Sequence, residues 1–269
     1  MPELPEVETI KRQLNKIIVG KKITDVKTDT PKMLKPSLSA VKKAVIGKTI
    51  QRLDRKAKVL QIHLTGNQVL IIHLKMTGRL LVRKEASPKD NWQHITFSLT
   101  SGFELRFADQ RKFGWIKLIS PKELAKILSE FGPEPFDLSE SEFTKIIQSS
   151  HRKIKVHLMD QEVISGIGNI YACDALNLSQ INPTRKSSSL SEKETIKLFS
   201  AINKVLQAGI KYGGASDNSY LNALGQKGHY QEHFLVYNRA GSKCFQCGHL
   251  VKKVKLAGRG TFYCPNCQR

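Results

Sequence analysis

Hydrophobic residues recur at two different spacings along the chain. From Val7 to Ile18 the apolar positions return every three or four residues, which predicts an amphipathic helix ending near Gly20. Short apolar runs bounded by turn residues come next, and they predict β-strands. The clearest runs are Val59–Leu64, Val69–Leu74, Arg79–Val82, His94–Leu99, Phe103–Phe107 and Trp115–Ile119. Strands at such close spacing favour a β-sandwich or barrel with the first helix packed on it.

The pattern turns helical after the proline-containing segment Gly132–Pro135, which we interpret as a linker. The helical stretches that follow are Ser141–Ser149, Ile154–Met159, Ile170–Leu178 and Ser191–Tyr212. Residues 213–228 predict a long loop, and a final module begins near Cys244. We therefore predict an α+β fold with an N-terminal β-sandwich domain (1–134), a helical domain (135–230) and a C-terminal module (231–269), in which two Cys-x-x-Cys pairs predict a zinc finger.

The charge balance is strongly basic. The 44 lysine and arginine residues outnumber the 23 acidic residues and give a formal net charge of +21. Such an excess favours a polyanionic partner, nucleic acid before an anionic membrane. No stretch approaches the ~20 apolar residues of a membrane-spanning helix, and the acidic first residues do not resemble a signal peptide. We expect a monomeric, cytoplasmic protein that binds nucleic acid and no membrane.

Four of the five cysteines form two Cys-x-x-Cys pairs. Cys244 and Cys247 are separated by sixteen residues from Cys264 and Cys267, a spacing typical of a structural zinc site with four thiolate ligands. The segment between the pairs carries lysines and an arginine but no acidic residue, so it could also contact phosphate. The fifth cysteine, Cys173, lies in an apolar helical stretch, where we expect a small buried hydrophobic residue.

The first residues of the chain have the chemistry of a nucleophile. Removal of Met1 would leave Pro2 as a secondary amine, which attacks carbonyl carbon in Schiff-base chemistry. Pro2 and Glu3 precede the first predicted helix, whose positive dipole end disfavours a protonated amine. An ordinary helix start is the alternative, and these residues taken alone favour it.

Two further stretches have the chemistry of phosphate contacts. Ser165–Ala172 places two glycines in a turn between helices, and backbone N–H groups at a helix start can hold a phosphate. The basic segment His151–Lys155 would extend that surface through Arg152 and Lys155. Lys58, at the start of a buried strand, could act as an acid or contact phosphate.

Two turns at strand ends, His73–Gly78 and Asp109–Gly114, are called the wedge turns below. Enzymes that act on a base extrude it from the duplex, and apolar side chains can fill the gap. Met76 and Phe113 would suit this filling, and Arg111 could pair with the orphaned base. By chemistry alone, Met76 and Phe113 would more often belong to a core.

Together these motifs resemble the formamidopyrimidine-DNA glycosylase family. The resemblance covers the whole chain, and it rests on Met1–Glu8, Lys58 before a strand, the wedge turns, Ser165–Ala172 and the finger tip Gly258–Thr261. It implies a helix–two-turns–helix element in the helical domain. It also implies a bifunctional DNA glycosylase and abasic-site lyase that excises oxidised purines, such as 8-oxoguanine and formamidopyrimidines, from double-stranded DNA. A proline Schiff base and β,δ-elimination would carry out the reaction.

The resemblance also implies a role for each candidate residue. Pro2 would be the nucleophile, Glu3 would act as acid and base, and Lys58 would assist. Arg259 would contact the phosphates at the lesion, and Asn169 would bind backbone phosphate. The full set of expected DNA-binding residues is His73, Met76, Arg111, Phe113, Arg152, Lys155 and Asn169. One structural Zn²⁺ would be held by Cys244, Cys247, Cys264 and Cys267.

The sequence departs from the family pattern at two places. Trp92-Gln93-His94 stands where the family often has His-x-His before a strand. The loop at 213–228 lacks the usual Gly-Gly-Thr-Thr-Leu-Arg-Asp string, and in the family that loop caps the extruded purine. Two alternatives therefore stay open: an endonuclease VIII-like enzyme for oxidised pyrimidines, and a zinc-ribbon DNA-binding protein that has lost catalysis.

Overall fold

The structure is a computed structural model, and it describes all 269 residues. The chain forms two compact units. The first comprises Met1–Ser129 with Tyr212–His229, and the second comprises Glu130–Lys211 with Tyr230–Arg269. Residues 213–228, which the sequence pattern assigned to the helical domain, thus group with the first unit. The division into three domains stays a prediction.

The first unit consists of three helices and two sheets. The helices are α1 (Leu4–Ile18), α2 (Leu38–Val45) and α3 (Pro121–Ser129). The strands are β1 (Ile23–Thr28), β2 (Leu34–Lys35), β3 (Ile50–Lys56), β4 (Val59–Leu64), β5 (Gln68–His73), β6 (Gly78–Lys84), β7 (Gln93–Leu99), β8 (Phe103–Asp109) and β9 (Trp115–Ile119). One sheet has the order β1-β7-β8-β6 and the other the order β2-β9-β5-β4-β3. Neighbouring strands are antiparallel except β2 and β9.

Helix α1 and both sheets contribute to one hydrophobic core. Val7, Ile10, Leu14 and Ile18 of α1 are each at most 1% exposed, at the spacing that the apolar pattern predicted. Strands of the two sheets supply most of the remaining core side chains. Burying one such side chain contributes roughly 1.5–3 kcal/mol, so this face of α1 fastens the start of the chain to the sheets. The predicted helix on a β-sandwich is confirmed.

The apolar pattern did not predict five strands, namely β1, β2, β3, β10 and β11. Of these, β1, β2 and β3 lie at sheet edges of the first unit. In β3 only Ile50 and Leu53 are buried, and four of its seven residues are charged. Charges on an edge strand discourage pairing with another chain. The same charges break up the apolar run by which a strand is recognised in a sequence.

The second unit is built from helices and a short hairpin. Its helices are α4 (Glu140–Gln148), α5 (Ile154–Leu158), α6 (Asn169–Leu178) and α7 (Glu192–Lys211), and its strands are β10 (Lys252–Leu256) and β11 (Arg259–Tyr263). The four helices agree with the predicted stretches to within one residue at each end. Ser139 and Glu142 form a capping box that starts α4. No helix of the structure is both long enough and apolar enough to cross a membrane.

Asp174 of α6 is fully buried and ties this helix to the segment that leads into the finger. Its Oδ1 accepts the backbone N–H groups of Val236 at 3.0 Å and Tyr237 at 3.1 Å, and its Oδ2 accepts the hydroxyl of Tyr230 at 3.3 Å. Burial raises the pKa of Asp174 to about 6, although the donated hydrogen bonds oppose the shift. The carboxyl group therefore titrates well above its usual range.

Replacing Asp174 with Asn should change how stability depends on pH. The folded chain holds the proton of Asp174 more tightly than the unfolded chain does. The stabilisation that protonated Asp174 gives to the folded state is therefore fully present below the usual pKa of 3.8, and it is lost as pH rises through about 6. Between pH 4 and 7, the wild-type free energy of unfolding should fall relative to that of Asp174→Asn by on the order of 3 kcal/mol or less. Denaturant titrations of both proteins across this range measure the difference in their free energies of unfolding. The other carboxylates titrate alike in the two proteins, so their effects cancel in this difference. A pH-independent difference would contradict the assignment.

Candidate active site and nucleic-acid interface

Glu3 and Glu6 close the N-terminus of α1. Glu3 is the N-cap residue, and its backbone N–H donates to Oε2 of Glu6 at 2.7 Å. Pro2 is buried and Glu3 is 2% exposed. The predicted nucleophile and its neighbouring carboxylate thus lie at the start of a packed helix, at the positive end of its dipole.

The other carboxylate oxygen of Glu6 anchors the loop at 213–228. Glu6 Oε1 accepts the N–H of Ala215 at 2.8 Å, and the hydroxyl of Tyr220 donates to the Glu6 carbonyl at 3.3 Å. Burial, with a smaller contribution from the charge of Glu6, raises the pKa of Tyr220 well above its usual value, so the phenol remains a donor. Gly214 has a φ of +86°, and a Cβ there would lie 2.9 Å from Cγ of Glu6. Only glycine allows the loop to approach α1 this closely.

Further hydrogen bonds join this loop to the rest of the first unit. Arg79 of β6 donates from Nε to the carbonyl of Ser219 at 2.7 Å. The backbone N–H of Ala223 donates to Oε1 of Gln13 in α1 at 2.9 Å. The loop is therefore held at its beginning, middle and end.

A buried ion pair connects α1 to the turn before Lys58. Arg55 donates from Nε to Oε2 of Glu8 at 3.0 Å, and both side chains are 8% exposed. Burial alone would raise the pKa of Glu8, but hydrogen bonds from Arg55 and Arg12 outweigh it and lower the pKa to about 2. Arg55 also donates to the carbonyl of Ala57 at 2.9 Å. The next residue, Lys58, is 6% exposed and lies immediately before β4.

His73 lies beside the same strand end, because its pairing partner in β4 is Val59. Burial, together with the positive charges of Lys75 and Lys58, lowers the pKa of His73 to about 4. Its Nδ1 accepts the backbone N–H of Lys75 at 2.9 Å, so the proton of the neutral ring is assigned to Nε2. His73 can therefore offer DNA a neutral N–H donor rather than a cation.

Asp109 organises the second wedge turn. This residue is 1% exposed, and its Oδ2 accepts the N–H groups of Phe113 at 2.9 Å and Gly114 at 2.7 Å. Its Oδ1 accepts the N–H of Arg111 at 3.1 Å and the hydroxyl of Thr77. A single buried carboxylate therefore holds both wedge turns.

The side chains expected to act as wedges are exposed. Met76 is 36% exposed and Phe113 is 53% exposed, so neither belongs to the core. The guanidinium carbon of Arg111 lies 4.6 Å from the centroid of the Phe113 ring. Exposed apolar side chains beside a cation are suited to inserting between bases. Their role in DNA stays a prediction.

A cavity of about 660 Å³ brings several of these features together. The residues that line it are Met1, Met76, Thr77, Arg79, Trp92, Gln110, Arg111, Asp217, Asn218 and Ser219. The start of the chain, both wedge turns and the loop at 213–228 therefore face one space. Its volume is typical of sites that hold small ligands.

Asn169 and Lys155 form the centre of the candidate site in the second unit. Asn169 begins α6, and its Nδ2 donates to the carbonyl of Gly260 at 3.0 Å. Lys155 is 1% exposed, and its ammonium donates to Asn169 Oδ1 and, at 2.7 Å, to Thr261 Oγ1. The contacts give Lys155 a role in positioning Asn169 and the finger hairpin, while its direct contact with DNA stays a prediction.

Two predicted phosphate ligands line a second cavity, of about 260 Å³. Arg152 and Arg259 both face this cavity, together with Lys155. Arg152 also donates to Asp160 at 2.7 Å, and its side chain is 45% exposed. The structure therefore brings two exposed arginines together on one side of the second unit.

The four paired cysteines form one cluster. Their sulfur atoms all lie within 4.8 Å of one another, with Sγ separations of 3.9 Å for Cys244 and Cys267 and 3.5 Å for Cys247 and Cys264. A tetrahedral zinc–thiolate site has sulfur atoms about 3.8 Å apart, so the donor set fits the ion. Cys173 is 1% exposed and packs in the adjoining apolar cluster, as expected.

The sequence pattern did not single out Glu6, Glu8, Arg55 or Asp109. Each is a charged residue whose partners lie in a turn or in a distant segment. A weak signal existed for Asp109, because Asp at a strand end commonly accepts backbone N–H groups two or more residues ahead. Glu6 stands three residues after Glu3, at the position of the acid in a capping box.

Three protein-family models match successive parts of the chain. The formamidopyrimidine-DNA glycosylase N-terminal domain matches residues 1–116, and the formamidopyrimidine-DNA glycosylase H2TH domain matches residues 131–220. The zinc finger found in FPG and IleRS matches residues 241–269, which identifies the cysteine cluster as the site of one structural zinc ion. Together these domains define a DNA-repair enzyme, a bifunctional DNA glycosylase and abasic-site lyase.

Named relatives align with the whole chain. A formamidopyrimidine-DNA glycosylase of Pelotomaculum thermopropionicum is 41% identical over 100% of this chain and 99% of the relative. One of Carboxydothermus hydrogenoformans is 42% identical over 100% of both. The solved complex of Lactococcus lactis Fpg with abasic-site DNA has a TM-score of 0.93 and 38% identity over 99% of both chains. The chain belongs to the formamidopyrimidine-DNA glycosylase family.

Replacing Asp109 with Asn should disturb both wedge turns. The substitution puts an amide NH₂ group in front of backbone N–H donors, and leaving a buried group unsatisfied costs about 1–3 kcal/mol. We expect that loss in the free energy of unfolding, together with weaker binding to a duplex that carries an abasic-site analogue. Asp54→Asn is the matched control, because this side chain is 46% exposed on edge strand β3. Equal stability and equal binding of the two variants would refute the role of Asp109.

Proposed function

We propose that this enzyme excises 8-oxoguanine and formamidopyrimidines from double-stranded DNA and then cuts the abasic site by β,δ-elimination. The observation that carries the proposal is the shared cavity, which is lined by the start of the chain, the wedge turns and the loop at 213–228. In this arrangement a nucleophile at the chain end can meet the sugar of an extruded nucleotide. One related Lactococcus lactis Fpg structure is described as a complex with DNA containing N7-benzyl-Fapy-dG.

The reaction begins at the nitrogen of Pro2 after removal of Met1. This nitrogen forms a bond to sugar C1′, and the bond from C1′ to the damaged base breaks, so that the base leaves with a proton. The bond between C1′ and O4′ then opens and leaves an iminium on Pro2. The carboxyl group of Glu3 supplies the proton to O4′. Lys58, which lies immediately before β4, assists as an acid.

Strand cutting follows from the positive charge of the iminium, which acidifies the neighbouring C–H bonds. As carboxylate, Glu3 accepts the C2′ proton, and the bond from C3′ to its phosphate oxygen breaks in β-elimination. Loss of a second proton breaks the bond from C5′ to the other phosphate in δ-elimination. Water then hydrolyses the remaining iminium and releases Pro2 as the free amine.

Cationic and neutral donors hold the DNA during these steps. The net charge of +21 favours the phosphate backbone. Arg152, Arg259 and the amide of Asn169 in the second unit would contact phosphates, and His73 in the first unit would add a neutral N–H donor. Phosphate contacts fix position without reading sequence, which suits an enzyme that must find lesions in any sequence.

The wedge turns would hold the duplex open. Met76 and Phe113 would fill the space that the extruded base leaves, and Arg111 would pair with the base opposite. Unstacking a base costs a few kcal/mol, and insertion of exposed side chains offsets that cost without loss of core packing. We also propose that the enzyme acts as a monomer in the cytoplasm, where a reducing environment keeps the finger thiolates available to zinc.

A preference for oxidised pyrimidines, as in an endonuclease VIII-like enzyme, is the second candidate. The observation in its favour is that Asp217 and Asn218 line the cavity from a loop that departs from the family string. A DNA-binding protein without catalysis is disfavoured, because Pro2, Glu3 and Lys58 are all present and buried. The side chains of the loop at 213–228 therefore affect which lesion is excised rather than whether the reaction occurs.

A cleavage panel on matched duplexes tests the proposal. The duplexes carry 8-oxoguanine, formamidopyrimidine, thymine glycol, an abasic site or undamaged guanine at one position, each opposite every base. We expect both purine lesions to be cut at least about tenfold faster than thymine glycol, which equals ~1.4 kcal/mol of transition-state binding. Both phosphates should be released. Glu3→Gln is the control: cutting by the enzyme should be lost in this variant, whereas cutting by a contaminating nuclease would persist. Faster cutting of thymine glycol would favour an endonuclease VIII-like enzyme. If no lesion is cut, the result would favour a DNA-binding protein without catalysis.

A further inference from the structure

Trp92 lies in the turn before β7 in a backbone conformation that bulky residues rarely adopt. Its φ is +59°, in the left-handed region that few residues other than glycine occupy. The indole does not serve the core, because 46% of the residue is exposed. Strained backbone of this kind is concentrated at binding and catalytic sites.

Two contacts fix the position of Trp92. Its carbonyl accepts the N–H of Asp109 at 2.9 Å, and Asp109 is the carboxylate that holds the wedge turns. The guanidinium carbon of Arg79 lies 5.6 Å from the centroid of an indole ring, and Arg79 Nε donates to the carbonyl of Ser219 at 2.7 Å. Trp92 is therefore joined both to a wedge turn and to the loop at 213–228.

Trp92 also belongs to the lining of the candidate active site. Trp92 lines the same cavity as Met1, Met76 and Arg111, and it is the only aromatic residue among those that line it. Every nucleobase has a π-face, so an exposed aromatic ring in a nucleic-acid site stacks on bases of any sequence. The arginine beside the ring adds a cation–π contact that holds the indole in place.

We propose that the indole of Trp92 stacks on a nucleobase of the bound DNA, which makes Trp92 a positioning residue for base excision. The inference rests on the proposed function, because a base enters this cavity only if the enzyme opens the duplex there. The base is either the extruded damaged base or the base left opposite it. Either base presents a π-face to the indole. Duplexes with and without the damaged base distinguish the two possibilities.

Fluorescence of a single indole reports the contact directly. The chain has two tryptophans, Trp92 and Trp115, so Trp115→Phe leaves Trp92 as the only reporter. We expect its emission to be quenched when the variant is saturated with a duplex that carries non-cleavable 2′-fluoro-8-oxoguanosine. A second duplex carries an abasic-site analogue and therefore lacks the damaged base. Quenching by both duplexes identifies the opposite base, and quenching by the first alone identifies the extruded base.

Substitutions of Trp92 provide an independent measurement. Trp92→Phe keeps an aromatic ring, whereas Trp92→Leu keeps an apolar side chain without a π-face. We expect the leucine variant to bind the damaged duplex about tenfold more weakly and the phenylalanine variant to lose little. The slope of log Kd against log salt should be the same in all three proteins, because no cation is removed. Trp92→Gly should not lower the melting temperature, since glycine tolerates the observed φ.

The inference fails if emission from Trp92 is unchanged at saturation with both duplexes, or if the leucine and phenylalanine variants bind equally well. Borohydride trapping of the wild-type enzyme on the 8-oxoguanine duplex tests the proposed function separately. Trapping without a change in Trp92 emission overturns the stacking contact alone. Absence of trapping overturns the proposed function, whether or not the emission of Trp92 changes.

Discussion

The carboxylate of Glu6 joins the start of α1 to the distant loop at 213–228. One oxygen accepts the N–H of Glu3 at 2.7 Å, and the other accepts the N–H of Ala215, 209 residues further along, at 2.8 Å. Glu6 is 1% exposed, and a buried charge is costly unless its oxygens are hydrogen-bonded. Because both oxygens are used, the chain end and the loop have fixed positions, and the cavity that they line has a defined shape.

Two other buried carboxylates act in the same way. Glu8 and its partner Arg55 hold the turn before Lys58, and Asp109 holds both wedge turns. Apolar side chains of similar volume would often stabilise a protein as well as such groups do. The presence of these carboxylates is better explained by the segments that they hold in position. A reactive site needs its groups held by supporting contacts from rigid elements. Packing of α1 supplies the stability, and these charges supply the geometry.

Local patterns predicted the parts of the molecule whose signal lies within a few residues. These parts are strands β4 to β9, helix α1, the four helices of the second unit and the cysteine pairs, whereas helices α2 and α3 were not predicted. The apolar pattern missed edge strands β1 and β3, because solvent-facing charges interrupt their apolar runs. It also assigned the 213–228 loop to the helical domain, since hydrogen bonds from Glu6 over 209 residues leave no periodic trace. The burial of Lys155 was hidden for the same reason, because it depends on the distant Thr261.

The proposed mechanism requires a covalent bond between the nitrogen of Pro2 and DNA, and this bond can be located experimentally. The enzyme is reduced with borohydride while it processes an 8-oxoguanine duplex and is then digested, and the adduct is mapped by mass spectrometry. We expect an adduct on the nitrogen of Pro2, in protein that has lost Met1, and no adduct once that nitrogen has been acetylated. Full trapping of the acetylated protein, with the adduct on an internal lysine such as Lys58, would contradict it.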